Sequence, residues 1–177
     1  LSALGGDLQG TALAIGSPFD FFGTLAIGNA TASGGNALRL IQGKPSAVPG
    51  ELIDFTDITS QKLPLATGQE RFQAADLAFV DTNGDSLQDL VLLAPAAIDN
   101  GMAFRILRSV VESNEVQLEF SFKSLLDPLG VGTDKYDGAV LAIGDLNGDG
   151  AQEYIVTRTV IDGMGSQTRA ITTEIAE

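Results

Sequence analysis

One four-residue string constrains this chain more than any other feature. Leu13-Ala14-Ile15-Gly16 returns as Leu141-Ala142-Ile143-Gly144, 128 residues on, and at the halfway offset of 64 stands the related Leu77-Ala78-Phe79-Val80. A loop follows each copy, starting at Ser17, Asp81 or Asp145, and then an apolar run: Thr24 to Ile27, Leu90 to Leu93, Tyr154 to Thr157. A third segment repeats as GNALRLI from Gly35, GMAFRIL from Gly101 and GSQTRAI from Gly165, with Arg39, Arg105 and Arg169 at intervals of 66 and 64. A first loop two residues shorter than the others accounts for the longer interval. A chain of 177 residues built this way is three copies of one unit, each burying its apolar face on a neighbour.

The unit reads as β. Its segments are short, rich in Val, Ile, Leu and Phe, and punctuated by Gly, Pro, Asn and Asp, with little support for helix. Glu115 to Lys123 alternates strictly: Val116, Leu118, Phe120 and Phe122 take one face, and Glu115, Gln117, Glu119, Ser121 and Lys123 the other. That is the pattern of a half-buried antiparallel strand. Its counterpart in the first repeat is Glu51 to Ile58, after a Pro49-Gly50 turn; in the third repeat the chain is running out at Thr172 to Glu177.

Each repeat therefore offers about four antiparallel strands, which predicts an all-β chain of β-propeller-like blades. The expected repeats are residues 8–71, 72–135 and 136–177, the last one truncated, within a single segment spanning 1–177. Propellers close with roughly 4 to 8 blades, so three predict a partial propeller, one completed by oligomerisation, or three sheets packed in some open way. The missing initiating Met is expected of a mature or excised piece.

Composition removes whole classes of chemistry. With no Cys, His or Trp there are no disulfides, thiolate ligands or imidazole bases, and Ser-His-Asp and Cys-His catalysis cannot be built. A net charge of −13 repels phosphate backbones and anionic lipid surfaces, so nucleic acid is not an expected partner. No apolar run approaches the roughly 18 to 20 residues of a membrane span. What remains is oxygen ligation of hard cations such as calcium.

The acidic loops carry that chemistry. Asp81-Thr82-Asn83-Gly84-Asp85-Ser86-Leu87-Gln88-Asp89 and Asp145-Leu146-Asn147-Gly148-Asp149-Gly150-Ala151-Gln152-Glu153 share the pattern DxNGDxxx[DE]. Side-chain oxygens at positions 1, 3 and 5 (Asp81, Asn83, Asp85; Asp145, Asn147, Asp149) converge, position 7 (Leu87, Ala151) can add a backbone carbonyl, and position 9 (Asp89, Glu153) closes the cage. Three carboxylates gathered without a cation repel one another, so the pattern asks for a counter-charge. An EF-hand needs its bidentate Glu at position 12, where this chain has Leu92 and Val156. The competing reading is a hairpin turn with solvated acids and no metal. The first repeat has Ser17-Pro18-Phe19-Asp20 instead and predicts no metal there.

On these loops the chain resembles the FG-GAP repeats of integrin α-subunit propellers and the related VCBS repeats of bacterial surface proteins. The second repeat gives Phe72-Gln73, Asp81 to Asp89 and Leu93-Ala94-Pro95; the third gives Tyr136-Asp137, Asp145 to Glu153 and Thr157-Arg158-Thr159. The FG and GAP elements are thus degraded, and the literal Phe22-Gly23 is out of phase. The resemblance implies a calcium-stabilised, extracellular or cell-surface module with two Ca2+ sites, acting in binding or adhesion on a protein or glycan ligand, without catalytic residues. The alternatives are an ancillary or catalytic propeller of a secreted polysaccharide- or lipid-acting enzyme, and a structural module that self-associates to complete a ring. Of the remaining features, Arg39, Arg105 and Arg169 read as strand residues rather than an anion-binding ring. Phe104, Phe120 and Phe122 read as core, and the loop Asp127 to Asp137 as an inter-blade connection.

Overall fold

A computed structural model describes residues 11–19, 22–29, 38–50, 53–63, 74, 76–98, 102–121, 140–150, 152–162 and 165–174. The described chain is mostly strand, arranged as three antiparallel sheets. The first is β1 (Thr11–Gly16), β2 (Thr24–Asn29), β3 (Leu38–Pro45) and β4 (Ile53–Asp57), each strand paired with the next in sequence. After a single helical turn, α1 (Thr59–Lys62), the second runs β5 (Asp76–Val80), β6 (Asp89–Ile98), β7 (Met102–Glu112) and β8 (Glu115–Ser121). The third contains β9 (Val140–Gly144), β10 (Glu153–Asp162) and β11 (Gly165–Glu174).

The repeated strings occupy equivalent strands: Leu13 to Gly16 in β1, Leu77 to Val80 in β5 and Leu141 to Gly144 in β9. Register makes the equivalence exact in number, because Gly16 faces Thr24, Val80 faces Asp89 and Gly144 faces Glu153. Three sequence expectations need correction here. The β1–β2 loop is one residue shorter than its counterparts, not two. Thr172 to Glu174 extend β11, the third strand of their sheet, rather than starting a fourth. Arg105 faces Leu92, three residues into β6, whereas the corresponding Val156 faces Ile171 and not Arg169. A register shift between Leu93 and Ile98 in the β6–β7 ladder separates the two patterns, so even spacing in sequence did not become even spacing across the strands.

The local chemistry fits each turn. Ser113 and Asn114, both with positive φ, form the two-residue connection between β7 and β8, where such a hairpin needs the left-handed region twice. The short helix was not legible beforehand. Its Lys62 reaches across to the second sheet, donating to the Val116 carbonyl at 2.9 Å and lying 5.5 Å from the Phe19 ring centroid.

The sheets pack in sequence order through their first strands. One apolar cluster joins the first two sheets, with Ala12, Ala14, Leu38 and Leu40 against Leu77, Leu90, Leu92 and Leu118. A second joins sheets two and three, with Val91, Leu93 and Ile106 against Leu141 and Tyr154. β6 is buried on both faces, which is why Leu90, Val91, Leu92 and Leu93 form an unbroken apolar run rather than an alternating one. Hydrogen bonds reinforce both contacts: Ser17 N donates to Gln88 Oε1 at 2.6 Å, and Leu141 N to Asp76 Oδ2 at 2.8 Å. No helix among the described residues is long and apolar enough to cross a membrane.

Candidate functional site

Each acidic loop joins the first strand of its sheet to the second, and both are folded by the same internal hydrogen bonds. Asp81 Oδ1 accepts from Gly84 N at 2.8 Å and its Oδ2 from Ser86 N at 2.8 Å. Asp145 does the same with Gly148 N at 2.6 Å and Gly150 N at 3.0 Å. Asn83 donates through Nδ2 to Asp85 Oδ2 at 2.9 Å, as Asn147 does to Asp149. The position-1 carboxylate thus acts as the hub on which the backbone winds. Winding this tightly takes the fourth and sixth residues into the left-handed region: Gly84 and Gly148 at φ 77° and 79°, then Ser86 and Gly150 at 70° and 92°. Glycine adopts that conformation freely, whereas Ser86 bears a steric cost.

The loops differ at their ninth residue. Asp89 and Glu153 open β6 and β10 at the same register position, and both are buried. Asp89 is fully employed within the protein: Oδ1 accepts from Ser109 N at 2.8 Å, and Oδ2 accepts from Thr82 N at 3.1 Å and from the Thr82 hydroxyl. Glu153 accepts from Leu146 N at 2.5 Å through Oε2, but its buried Oε1 has no hydrogen-bond partner among the described residues. Burying a carboxylate oxygen without a donor or cation is costly.

Around Glu153 the acids converge. One carboxylate oxygen each from Asp145, Asp149 and Glu153 lie within 4.8 Å of one another, and among the described residues this is the sole such group of three acids. The equivalent Asp81, Asp85 and Asp89 are not so gathered, because Asp89 is drawn toward Ser109 and Thr82. Asp145 and Asp149 are exposed and Glu153 is buried, so the cluster has a wet mouth and a dry floor. Oxygen donors in this number suit a hard divalent cation. In the first sheet the register position of Asp89 and Glu153 is held by Thr24, also buried, which brings no carboxylate.

Other sequence candidates are placed as follows. Leu87 is half-buried and donates its N–H to Asp85 Oδ1 at 2.8 Å; Ala151 lies outside the described residues. Arg39 is exposed on β3 and Arg105 half-buried on β7, in different sheets. The side chains of Arg169, Phe104, Phe120 and Phe122, and the loop Asp127 to Asp137, lie outside the described set.

Sequence reading passed over two participants. Ser109 is twenty residues from Asp89 and meets it only through β6–β7 pairing, with its hydroxyl donating to the Gln88 carbonyl at 2.7 Å. Tyr154, buried between sheets two and three, sits near Asp89 and Arg108. Burial pushes its hydroxyl well above the ordinary value of 10.0, with the Asp89 carboxylate adding to the rise and the Arg108 guanidinium opposing it. No family model, curated protein or solved structure matches this chain.

Proposed function

We propose that the chain is part of a calcium-braced β-propeller and works outside the cell or at its surface as a non-catalytic module that binds a protein or glycan. The observation carrying this reading is the buried Glu153 oxygen, without a hydrogen-bond partner among the described residues, beside the Asp145 and Asp149 carboxylates. A divalent cation there would satisfy that oxygen and cancel the repulsion of three acids in one operation. The Asp145 to Glu153 loop is the stronger site, and the Asp81 to Asp89 loop, whose ninth carboxylate is already occupied, is the weaker. Because two of the three acids are exposed, the affinity expected is that of extracellular modules, with dissociation constants of about 0.1 to 1 mM. Such sites fill where calcium is millimolar, which is the reason for an extracellular assignment.

The blade reading is supported by three antiparallel sheets of like register packed in sequence through their first strands. A cation in the loop between the first two strands of a sheet would fix that edge, leaving the module's other surfaces to recognise a ligand. The test is retention on immobilised matrix proteins and glycans, with calcium and then with chelator. Calcium-dependent retention that Glu153→Gln abolishes supports the proposal. Turnover of a polysaccharide or phospholipid substrate would replace it with the enzyme reading.

A further inference from the structure

The three sheets make one kind of contact twice, and among the described residues the two end faces are its unmatched halves. Leu13 corresponds by register to Leu77 and Leu141. Leu77 and Leu141 are 5% and 9% exposed because each lies on the preceding sheet, whereas Leu13 is 58% exposed. Ile15, at the position of the partly buried Phe79, is 80% exposed. Further across the sheet, Gly43 pairs with Phe55 as Ser109 pairs with Leu118; Leu118 is 2% exposed and Phe55 70%. Antiparallel partners share a face, so Leu13, Ile15 and Phe55 lie on one face of the first sheet, with the half-buried Leu25 and Ile41 between them and the exposed Arg39 and Asp57 on the same face. Scattered exposed apolar residues need no explanation, but an aligned face of them does.

The opposite end offers the complement. On the third sheet, Val140, Ala142 and Gly144 hold the positions of Ala12, Ala14 and Gly16. Ala12 and Ala14 are buried under the second sheet, and a Cβ built on Gly16 would stand 2.6 Å from Phe79 Cβ. Val140 and Ala142 are exposed, and a Cβ on Gly144 would meet nothing within 4 Å.

We infer that a second copy of this chain seats head to tail, the Leu13, Ile15 and Phe55 face of one copy against the Val140, Ala142 and Gly144 face of the other. Ile15 then lies over Gly144 as Phe79 lies over Gly16 within the chain. The occupant is a copy because the contact continues one the chain already makes twice, at the same register positions. A contact between two different faces closes into a ring or runs on as a filament. Two copies supply six sheets, within the roughly 4 to 8 of closed propellers, which favours a ring of two. The ring rests on the blade reading above; the seat does not. The net charge of −13 opposes association, so added salt strengthens it.

Sedimentation of the full chain over a wide concentration range tests this, with Ile15→Glu and Ala142→Glu as variants. Both positions are exposed in the single copy, so the variants fold, which a β-type circular dichroism spectrum verifies. The mass should pass from 18.4 kDa to twice that value as concentration rises. Each variant alone should stay single, and an equimolar mixture should recover a pair, since the intact head of one meets the intact tail of the other. A single copy at every concentration overturns the seat. A persistent pair in Ala142→Glu overturns it in favour of head-to-head contact, and growth beyond the pair overturns the ring.

Discussion

Gly16 and Gly144 occupy the same register position in the first and third sheets, and the substitution of each by alanine should have opposite effects. Neither has a left-handed backbone, so alanine adopts both conformations without strain. At Gly16 the new methyl would stand 2.6 Å from Phe79 Cβ and Cγ and 2.7 Å from Gln88 Oε1. Phe79 Cβ is fixed to β5 and cannot swing away, and displacing Gln88 would also release Ser17 N. Overpacking of this kind costs about 1 to 3 kcal/mol. The reduced freedom of the unfolded chain returns about 0.4 to 1 kcal/mol. Gly16→Ala should thus lose about 1 to 2 kcal/mol net, which is a midpoint about 2 to 8 °C lower for a chain of this length. Gly144→Ala meets open space and keeps only the favourable part, a rise of about 1 to 4 °C. Thermal unfolding by circular dichroism at low protein concentration, in chelator, measures both. Equal shifts for the two variants would refute the close approach of β5 to the first sheet.

Three further outcomes follow from the loops and the inter-sheet core. Asp89→Ala strands the buried Ser109 N–H and the two Thr82 donors, at about 1 to 3 kcal/mol for the fully buried one, and should lower the chelator midpoint by about 2 to 12 °C. Ser86→Gly relieves a left-handed serine at a position where the other loop already has Gly150, and should gain up to about 1 kcal/mol in a urea titration. Because burial raises the Tyr154 hydroxyl above its unfolded value, the unfolded chain releases that proton first as pH climbs past about 10, so it binds fewer protons than the folded chain and stability falls. The contribution is complete below pH of about 10 and lost as pH rises above it; Tyr154→Phe should make the alkaline decline in urea midpoints shallower.

How far the sequence can be read depends on the range of the interaction. Strand identity was legible because Leu13 to Gly16, Leu77 to Val80 and Leu141 to Gly144 mark the same strand in three sheets, and β8 because Val116 and Leu118 alternate with polar residues. The loop windings were legible too: Asp-x-Asn-Gly-Asp specifies hydrogen bonds spanning two to five residues. The difference between the two loops was not, although their motifs match. It depends on Ser109, which pairing between β6 and β7 brings to Asp89, and on Thr82, where the third repeat has Leu146. Neither could the Arg register be read correctly, since the irregularity between Leu93 and Ile98 shifts residues; Pro95, inside it, marks a break in the ladder but not the size of the shift. The one-turn helix at Thr59–Lys62 is too short for a periodicity to reveal.

The most direct measurement is the calcium-induced shift in thermal midpoint of the chelator-treated chain, beside Glu153→Gln. At a hundredfold excess over its dissociation constant, one site adds about 2.7 kcal/mol. That corresponds to a rise of about 5 to 11 °C at this chain length. Glu153→Gln keeps an acceptor for Leu146 N while removing the buried charge, so it should match or exceed the parent chain in chelator and lose most of the calcium response. Magnesium at the same concentration, which dehydrates reluctantly and demands tighter geometry, should give a smaller rise. An unchanged midpoint in the parent chain, or a full calcium response in Glu153→Gln, would contradict a cation held by Asp145, Asp149 and Glu153.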